Sequence, residues 1–362
     1  MSFPVVDAHC HLQLYPLYER VNEVIVNAVK SNVEFVCVCG TIPGEDWMRI
    51  KEITNDNKDF VIPAYGLHPW WIKRYFEQVA NNPLKSGNDA KFCNSFDSID
   101  PYSILEDQLV EAVTENPNAC VGECGLDKPT IKTTGTRTGT DVGTIGEGVS
   151  FLIQELILKK HLLVSGRYSR PLILHCVGCW GKLLEILSTP IYDLADEDGY
   201  EDGDRDGDLI SNIPGIVLHS ANSINSELIP AFLNLKNKNI YFSFTAIGTP
   251  RLAISGTGTK SDVDTDIDRN YEKRRQKMKA TLNKVPLDRL LIETDSPDQL
   301  PHDLKTKAKE GDNLNSLCSL ECNEPRFIQY TLNDISNHLS KDIKEISEIT
   351  INNSRRVFGF NK

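Results

Sequence analysis

Short apolar runs recur along the chain, separated by longer stretches whose apolar positions fall three and four residues apart. The short runs are rich in Val, Ile and Leu and are bounded by Gly, Pro or polar residues, so they read as buried β-strands. Eight stand out: Val5–His9, Phe35–Cys39, Phe60–Gly66, Ala119–Glu123, Leu172–His175, Ile216–His219, Ile240–Ser243 and Leu290–Glu293. Helical periodicity fills most of the gaps, at Tyr18–Lys30, Ile145–Leu163, Cys179–Leu187, Glu227–Leu235 and Tyr271–Lys284. The segment from Pro325 to Phe358 reads as two closing helices. Eight strands alternating with helices predict an α/β chain folded as a parallel (β/α)8 TIM-like barrel, which takes about 250 residues. An open doubly wound sheet is the second arrangement this pattern allows.

The chain has 362 residues, and the excess falls in polar stretches of low complexity at about 81–100, 130–143, 193–211 and 255–268. Such compositions bury too little apolar surface to order themselves, so they read as flexible loop insertions within one domain spanning 1–362. No basic stretch followed by an apolar one opens the chain, and no apolar run is long enough to cross a bilayer. The expected location is the cytoplasm, with the nucleus as a second one, and no membrane association. Ten cysteines in such a chain read as reduced thiols. Cys176-x-x-Cys179 and Cys318-x-x-x-Cys322 have metal-like spacings taken singly, but they differ in spacing and context.

The net charge of −12 argues at first against a nucleic-acid partner. Its location changes that. Asp193 to Asp208 holds nine acids and one arginine, and Asp262 to Asp268 holds four acids and no base. These two tracts account for the whole excess, so the remainder is near neutral and sets no bar to a polyanionic substrate. The acidic insertions also offer a surface to a protein partner.

The polar residues with chemical potential fall at the ends of the strands. The first strand ends in His9-Cys10-His11, and residues two apart on a strand point the same way, so both imidazoles aim at one point. A lone His-x-His is equally compatible with two ordinary histidines. The other strand ends supply partners: His68 after strand three, Glu123 on four, His175 on five, His219 on six, and Asp295 after eight. In barrels the carboxyl ends of the strands carry the active site. His9, His11, Glu123 and Asp295 can hold one divalent ion, and Glu123, His175 and His219 a second, with Glu123 bridging. The mixed N/O donor set without thiolate suits Zn²⁺, Mn²⁺ or Mg²⁺. Two such ions polarise a phosphoryl oxygen and lower the pKa of a shared water, whose proton Asp295 can accept as general base. His68 is surplus to the ligand count and is assigned to substrate contact or leaving-group protonation.

With these residues in place, the chain resembles the TatD family of metal-dependent deoxyribonucleases, within the amidohydrolase superfamily. The resemblance rests on Asp-Ala-His-Cys-His at 7–11, Gly-Leu-His-Pro-Trp at 66–70, Gly-Glu-Cys-Gly-Leu-Asp at 122–127, Pro-Leu-Ile-Leu-His-Cys at 171–176 and Glu-Thr-Asp-Ser-Pro at 293–297. Asn323-x-Pro325 and the stretch from Asn353 to Phe358 also look familial. It implies a TIM-like barrel, a binuclear metal centre at the residues above, and hydrolysis of phosphodiesters; the expected substrate is DNA or another phosphodiester, and the expected state a monomer. The sequence departs from the family after strand six, where His219-Ser220-Ala221-Asn222-Ser223 replaces a His-Cys-Phe-Ser-Gly pattern. It departs again at Lys128-Pro129, where an aromatic residue is usual, and at Asp298, where many nucleases carry Tyr. A fungal branch, named for association with a cell-cycle protein, is similar in these features. Two other readings compete. One is an amidohydrolase cleaving a C–N or ester bond outside nucleic acids; many of those bridge their metals with a carboxylated lysine on strand four, where this chain has Glu123. The other is a barrel scaffold acting as a protein-interaction partner, against which the complete ligand set argues.

Overall fold

The computed structural model describes residues 2–81, 100–129, 149–191, 208–246, 272–301, 304 and 322–359. The eight apolar runs form eight strands: β1 (Val5–Cys10), β2 (Val33–Cys39), β3 (Val61–Tyr65), β4 (Cys120–Asp127), β5 (Leu172–Val177), β6 (Ile216–Leu218), β7 (Ile240–Phe244) and β8 (Leu290–Ile292). They lie side by side in chain order, every neighbouring pair parallel. Helices α1 (Val21–Lys30), α2 (Trp47–Asp56), α3 (Ile72–Asn81), α4 (Pro101–Glu115), α5 (Phe151–Arg167), α6 (Trp180–Ser188), α7 (Ile229–Leu233) and α8 (272–282) alternate with them. Two more, α9 (Ile328–Leu339) and α10 (Ile343–Phe358), follow β8. This is a (β/α)8 TIM barrel.

Two apolar layers result from strand alternation. One residue set from each strand, including Phe35, Ile62, Ile173, Val217, Tyr241 and Leu291, fills the barrel interior. The alternate set packs outward against the helices. Helix α10 closes the amino-terminal mouth: Ile351, Val357 and Phe358 join the interior cluster, and Phe358 meets Phe35 edge-on at 6.3 Å. The Asn353 amide pins this helix by donating to the carbonyls of Leu287 (2.7 Å) and Leu290 (2.8 Å). The carboxyl-terminal mouth is left for side chains from the strand ends.

Of the register shifts in the sheet, two precede a metal-ligand candidate. In β1 the register against β2 shifts between Asp7 and Cys10. Val6 and Ala8 face the interior, yet Cys10 packs outside, so His9 and His11 turn inward together. In β4 the register against β5 shifts between Val121 and Cys124; Cys120 faces in, whereas Cys124 and Leu126 face out. The parity of the strand is thereby reversed, and Glu123 is aimed into the mouth. One residue of slip sends every following side chain to the opposite face. Gly125, at φ +145°, lies so close to β5 that a Cβ there would stand 2.0 Å from the His175 carbonyl oxygen.

The insertion boundaries need correction. Asn81 belongs to α3, and Asp100 caps α4, its carboxylate accepting from the amides of Tyr102 and Ser103. Asp208–Ser211 is also ordered: Asp208 caps a 3-10 turn at Leu209–Asn212, and Leu209 and Ile210 are buried. These two apolar side chains at the end of an acidic tract have a core to enter, which the tract's composition conceals. The cores of the four polar stretches (82–99, 130–143, 193–207 and 255–268) lie outside the described residues. Ile210→Ala is expected to cost about 2–5 kcal/mol of unfolding free energy, as buried Ile→Ala changes do. A denaturant midpoint equal to wild type would instead support an unstructured segment there.

Candidate metal centre

His9 and His11 leave the end of β1 with their Nε2 atoms 3.1 Å apart. The Glu123 Oε2 atom lies 3.3 Å from His9 Nε2 and 3.4 Å from His11 Nε2. Asp295 Oδ1 lies 3.5 Å and 3.6 Å from the same two nitrogens. Five of the six separations among these four donor atoms thus lie between 3.1 and 3.6 Å, and His9, His11 and Asp295 by themselves form a group that could hold a metal ion. The other carboxylate oxygen of Glu123 faces a different group. Its Oε1 is 2.9 Å from His175 Nδ1, 3.1 Å from His219 Nε2 and 3.4 Å from His68 Nε2. All seven residues expected from the sequence thus converge on one mouth. Six are nearly or fully buried, while the Asp295 side chain is the most open at 15% exposure.

The outer partners of the imidazoles decide where their protons sit. His11 Nδ1 faces the Cys39 carbonyl at 2.7 Å, and a carbonyl can only accept, so Nδ1 carries the hydrogen. His219 Nδ1 faces Glu293 Oε1 at 3.1 Å, and that oxygen also receives the Ser220 amide at 2.7 Å. His175 Nε2 faces Asp127 Oδ2 at 3.1 Å, which is held in turn by the Trp70 indole N–H at 2.7 Å. In the neutral form of each ring, the inner nitrogen therefore presents a lone pair to Glu123 or to its companion. Lone pairs facing a carboxylate at 3 Å repel unless a cation lies between them. His68 is the opposite case: its Nδ1 accepts from the Trp70 amide at 3.1 Å, so Nε2 bears the hydrogen and aims it at Glu123. As a neutral ring it is a donor here and has no lone pair to offer a metal.

Electrostatics match this arrangement. Burial alone would raise the Glu123 carboxyl, but the imidazoles of His219, His68, His9 and His175 hold it well below the usual carboxylate range. Burial disfavours the His219 imidazolium, yet Glu123 and Glu293 together lift its pKa well above the ordinary value. Proton and metal ion would compete for the same lone pairs, so a metal ion binding here would release protons.

A model of the family described as TatD related DNase matches residues 6–264 and 267–359 of this chain. The chain belongs to the TatD family. The 3'-5' ssDNA/RNA exonuclease TatD of Edwardsiella piscicida is 23% identical over 338 residues, covering 93% of each chain. The Cut9-interacting protein scn1 of Schizosaccharomyces pombe is 23% identical over 206 residues, 51% of this chain and 58% of that one. Among solved structures, a TatD family hydrolase from Entamoeba histolytica superposes with a TM-score of 0.64 over 100% of both chains at 14% identity, a likeness of fold. No helix among the described residues is long and apolar enough to cross a membrane.

Three carboxylates in this TatD chain escaped the sequence reading. Glu293 and Asp127 orient His219 and His175, as the outer partners of metal-ligating histidines do. Both stand two or four residues from a ligand candidate on an inward-facing register, and that spacing is the signal that finds them. The third, Asp7, is fully buried and grips Thr294 twice, accepting from its amide (2.9 Å) and its hydroxyl (2.6 Å). Asn323 holds the Thr294 carbonyl from the other side at 2.8 Å. Two backbone bonds complete the seam between β1 and the end of β8: Asp295 N–H to His9 O (3.0 Å) and His11 N–H to Ser296 O (2.7 Å). These contacts fix Asp295 beside the two histidines with its backbone at φ +55°, a region a non-glycine residue rarely occupies. Of the altered positions after β6, Asn222 is structural: it exchanges hydrogen bonds with the backbone of Thr245 beyond β7.

His161, away from the strand ends, supports the site from behind. Its Nδ1 donates to the Ile157 carbonyl at 2.7 Å, and its Nε2 accepts the Leu67 amide at 3.0 Å, one residue before His68. Burial pushes its pKa from 6.5 down to about 4, opposed only in part by the bond to Ile157. A depressed folded-state pKa stabilises the fold above the unfolded value and loses that contribution as pH falls. Between pH 6.5 and 4 the wild type is therefore expected to lose on the order of 3 kcal/mol more than His161→Gln, read from urea midpoints. Parallel pH profiles for the two would show that the neutral imidazole does not hold this turn.

Proposed function

We propose that the chain is a metal-dependent hydrolase of phosphodiester bonds, a deoxyribonuclease in the first instance, working through two divalent cations bridged by Glu123. The observation that carries this reading is the division of labour in one carboxylate: Oε2 faces His9 and His11, whereas Oε1 faces His175 and His219. His9, His11, Glu123 and Asp295 would hold one ion, and Glu123, His175 and His219 the other. The donor set fits Zn²⁺, Mn²⁺ or Mg²⁺. Such a pair supplies Lewis acidity to a phosphoryl oxygen and lowers the pKa of water near it.

The protein's own groups take the remaining roles. Burial works against the Asp295 charge, but His11, His219 and His9 hold its carboxyl below the usual range. Its greater openness supports giving it the role of accepting a proton from an attacking water. His68, whose Nε2 hydrogen faces Glu123 at 3.4 Å here, would turn that hydrogen to a substrate oxygen when one is bound; burial holds its pKa down at about 4, which favours this contact over proton delivery to a leaving group. The name of the relative that covers 93% of the chain supports a nucleic-acid substrate.

Wild type and Glu123→Ala would be compared on single- and double-stranded DNA and on RNA, with Mg²⁺, Mn²⁺ or Zn²⁺. The expected result is hydrolysis by wild type and background rates for the variant, with unchanged far-UV circular dichroism. Glu293→Gln and Asp127→Asn should each weaken metal affinity or activity by about 10–100-fold. Equal rates for wild type and Glu123→Ala would overturn the bridging role. A wild type that binds metal yet cuts no nucleic acid would redirect the assignment to another ester or amide.

A further inference from the structure

We infer that Cys176 and Cys179 form a redox-active dithiol that closes to an intramolecular disulfide on reaction with low-molecular-weight disulfides of the glutathione class. The two sulfurs lie 3.8 Å apart across the turn Cys176-Val177-Gly178-Cys179, where β5 passes into α6. Gly178 makes that turn with φ +73°, folding the chain back so that Cys179, the residue that caps α6, comes to rest beside Cys176. Closing the disulfide brings the sulfurs to about 2.05 Å, a local movement within a four-residue loop.

The positions of the two thiols differ in the way such chemistry needs. Cys176 is buried at 3% exposure, while Cys179 is only partly buried. Cys179 lines a surface cleft of about 400 Å³ together with Lys128, Phe151, Glu155, Gly178 and Lys182. A small disulfide carrying carboxylates can enter such a cleft beside Lys128. Cys37 and Cys39 make the useful contrast. Their sulfurs are equally close, at 3.9 Å, but both are wholly buried in the barrel interior, beyond the reach of a soluble oxidant.

The exchange balances as two steps. The Cys179 sulfur attacks the glutathione disulfide, forming a mixed disulfide and releasing one glutathione thiol, which carries the first proton. The Cys176 sulfur then attacks Cys179 Sγ, forming the internal bond and releasing the second glutathione thiol with the second proton. The protein loses two electrons, and the external disulfide gains them.

This inference stands apart from the hydrolytic reading, since it is measured without substrate or metal. The full chain would be equilibrated with oxidised and reduced glutathione, quenched by alkylation and cleaved with trypsin. Tyr168 to Lys182 is one tryptic peptide holding both cysteines, because Arg170 precedes Pro171. The expected result is joint loss of both alkyl labels from this peptide as the buffer becomes oxidising, with both restored by dithiothreitol. Cys176→Ser should stop at a glutathione adduct on Cys179, and Cys179→Ser should leave Cys176 alkylated. Three results overturn the proposal: a persistent adduct on wild-type Cys179, both labels retained under fully oxidising buffer, or labels lost independently of one another.

Discussion

The carboxylate of Glu123 is the point on which the carboxyl mouth of this barrel depends. It is buried among five imidazoles, and the protonated forms of His175 and His219 would not be favoured there without acidic neighbours, Glu123 among them. Nor would the charge be tolerated without them, since an isolated carboxylate in such surroundings pays a large desolvation penalty. In the proposed function the two demands would meet when cations join the assembly. Each histidine with a fixed outer partner then has a use for its inner lone pair, and each oxygen of Glu123 has its own.

Holding that carboxylate in place requires breaking the rule that built the barrel. Regular alternation along β4 would carry Glu123 to the helix side of the wall. The register shifts in β1 and β4 reverse the parity just before the residues that matter. In both strands the part before the shift fills the core and the part after it faces the mouth, so one strand serves packing and chemistry in turn. In β5 and β6 no such device is needed, because His175 and His219 follow Ile173 and Val217 on the same inward register.

This explains what could be read from the chain. The eight strands were legible because their Val, Ile and Leu runs are buried on both faces, which leaves an uninterrupted apolar signal. Helix α2 was not: only Ile50 and Ile53 of its ten residues are buried, too narrow a stripe to stand out. The metal-ligand candidates were legible because each ends an apolar run, where a histidine or acid is conspicuous. Glu293, Asp127 and Asp7 were not singled out because an orienting carboxylate looks like any acid at a strand end until its partner is known. The buried Leu209 and Ile210 were hidden by the acidic tract that precedes them.

The seam between the first and last strands has a temporal side. Asp7 and Thr294, which clamp it, are 287 residues apart in the chain. His9 and His11 stand at the first strand of the barrel and Asp295 just after the eighth, so these side chains meet only when the barrel closes. Contacts of such sequence separation form late, after the loop between them has closed. Until that closure the candidate ligand set is incomplete, and a full set coincides with a finished barrel. The order of the strands thus makes the candidate centre a reporter of barrel closure.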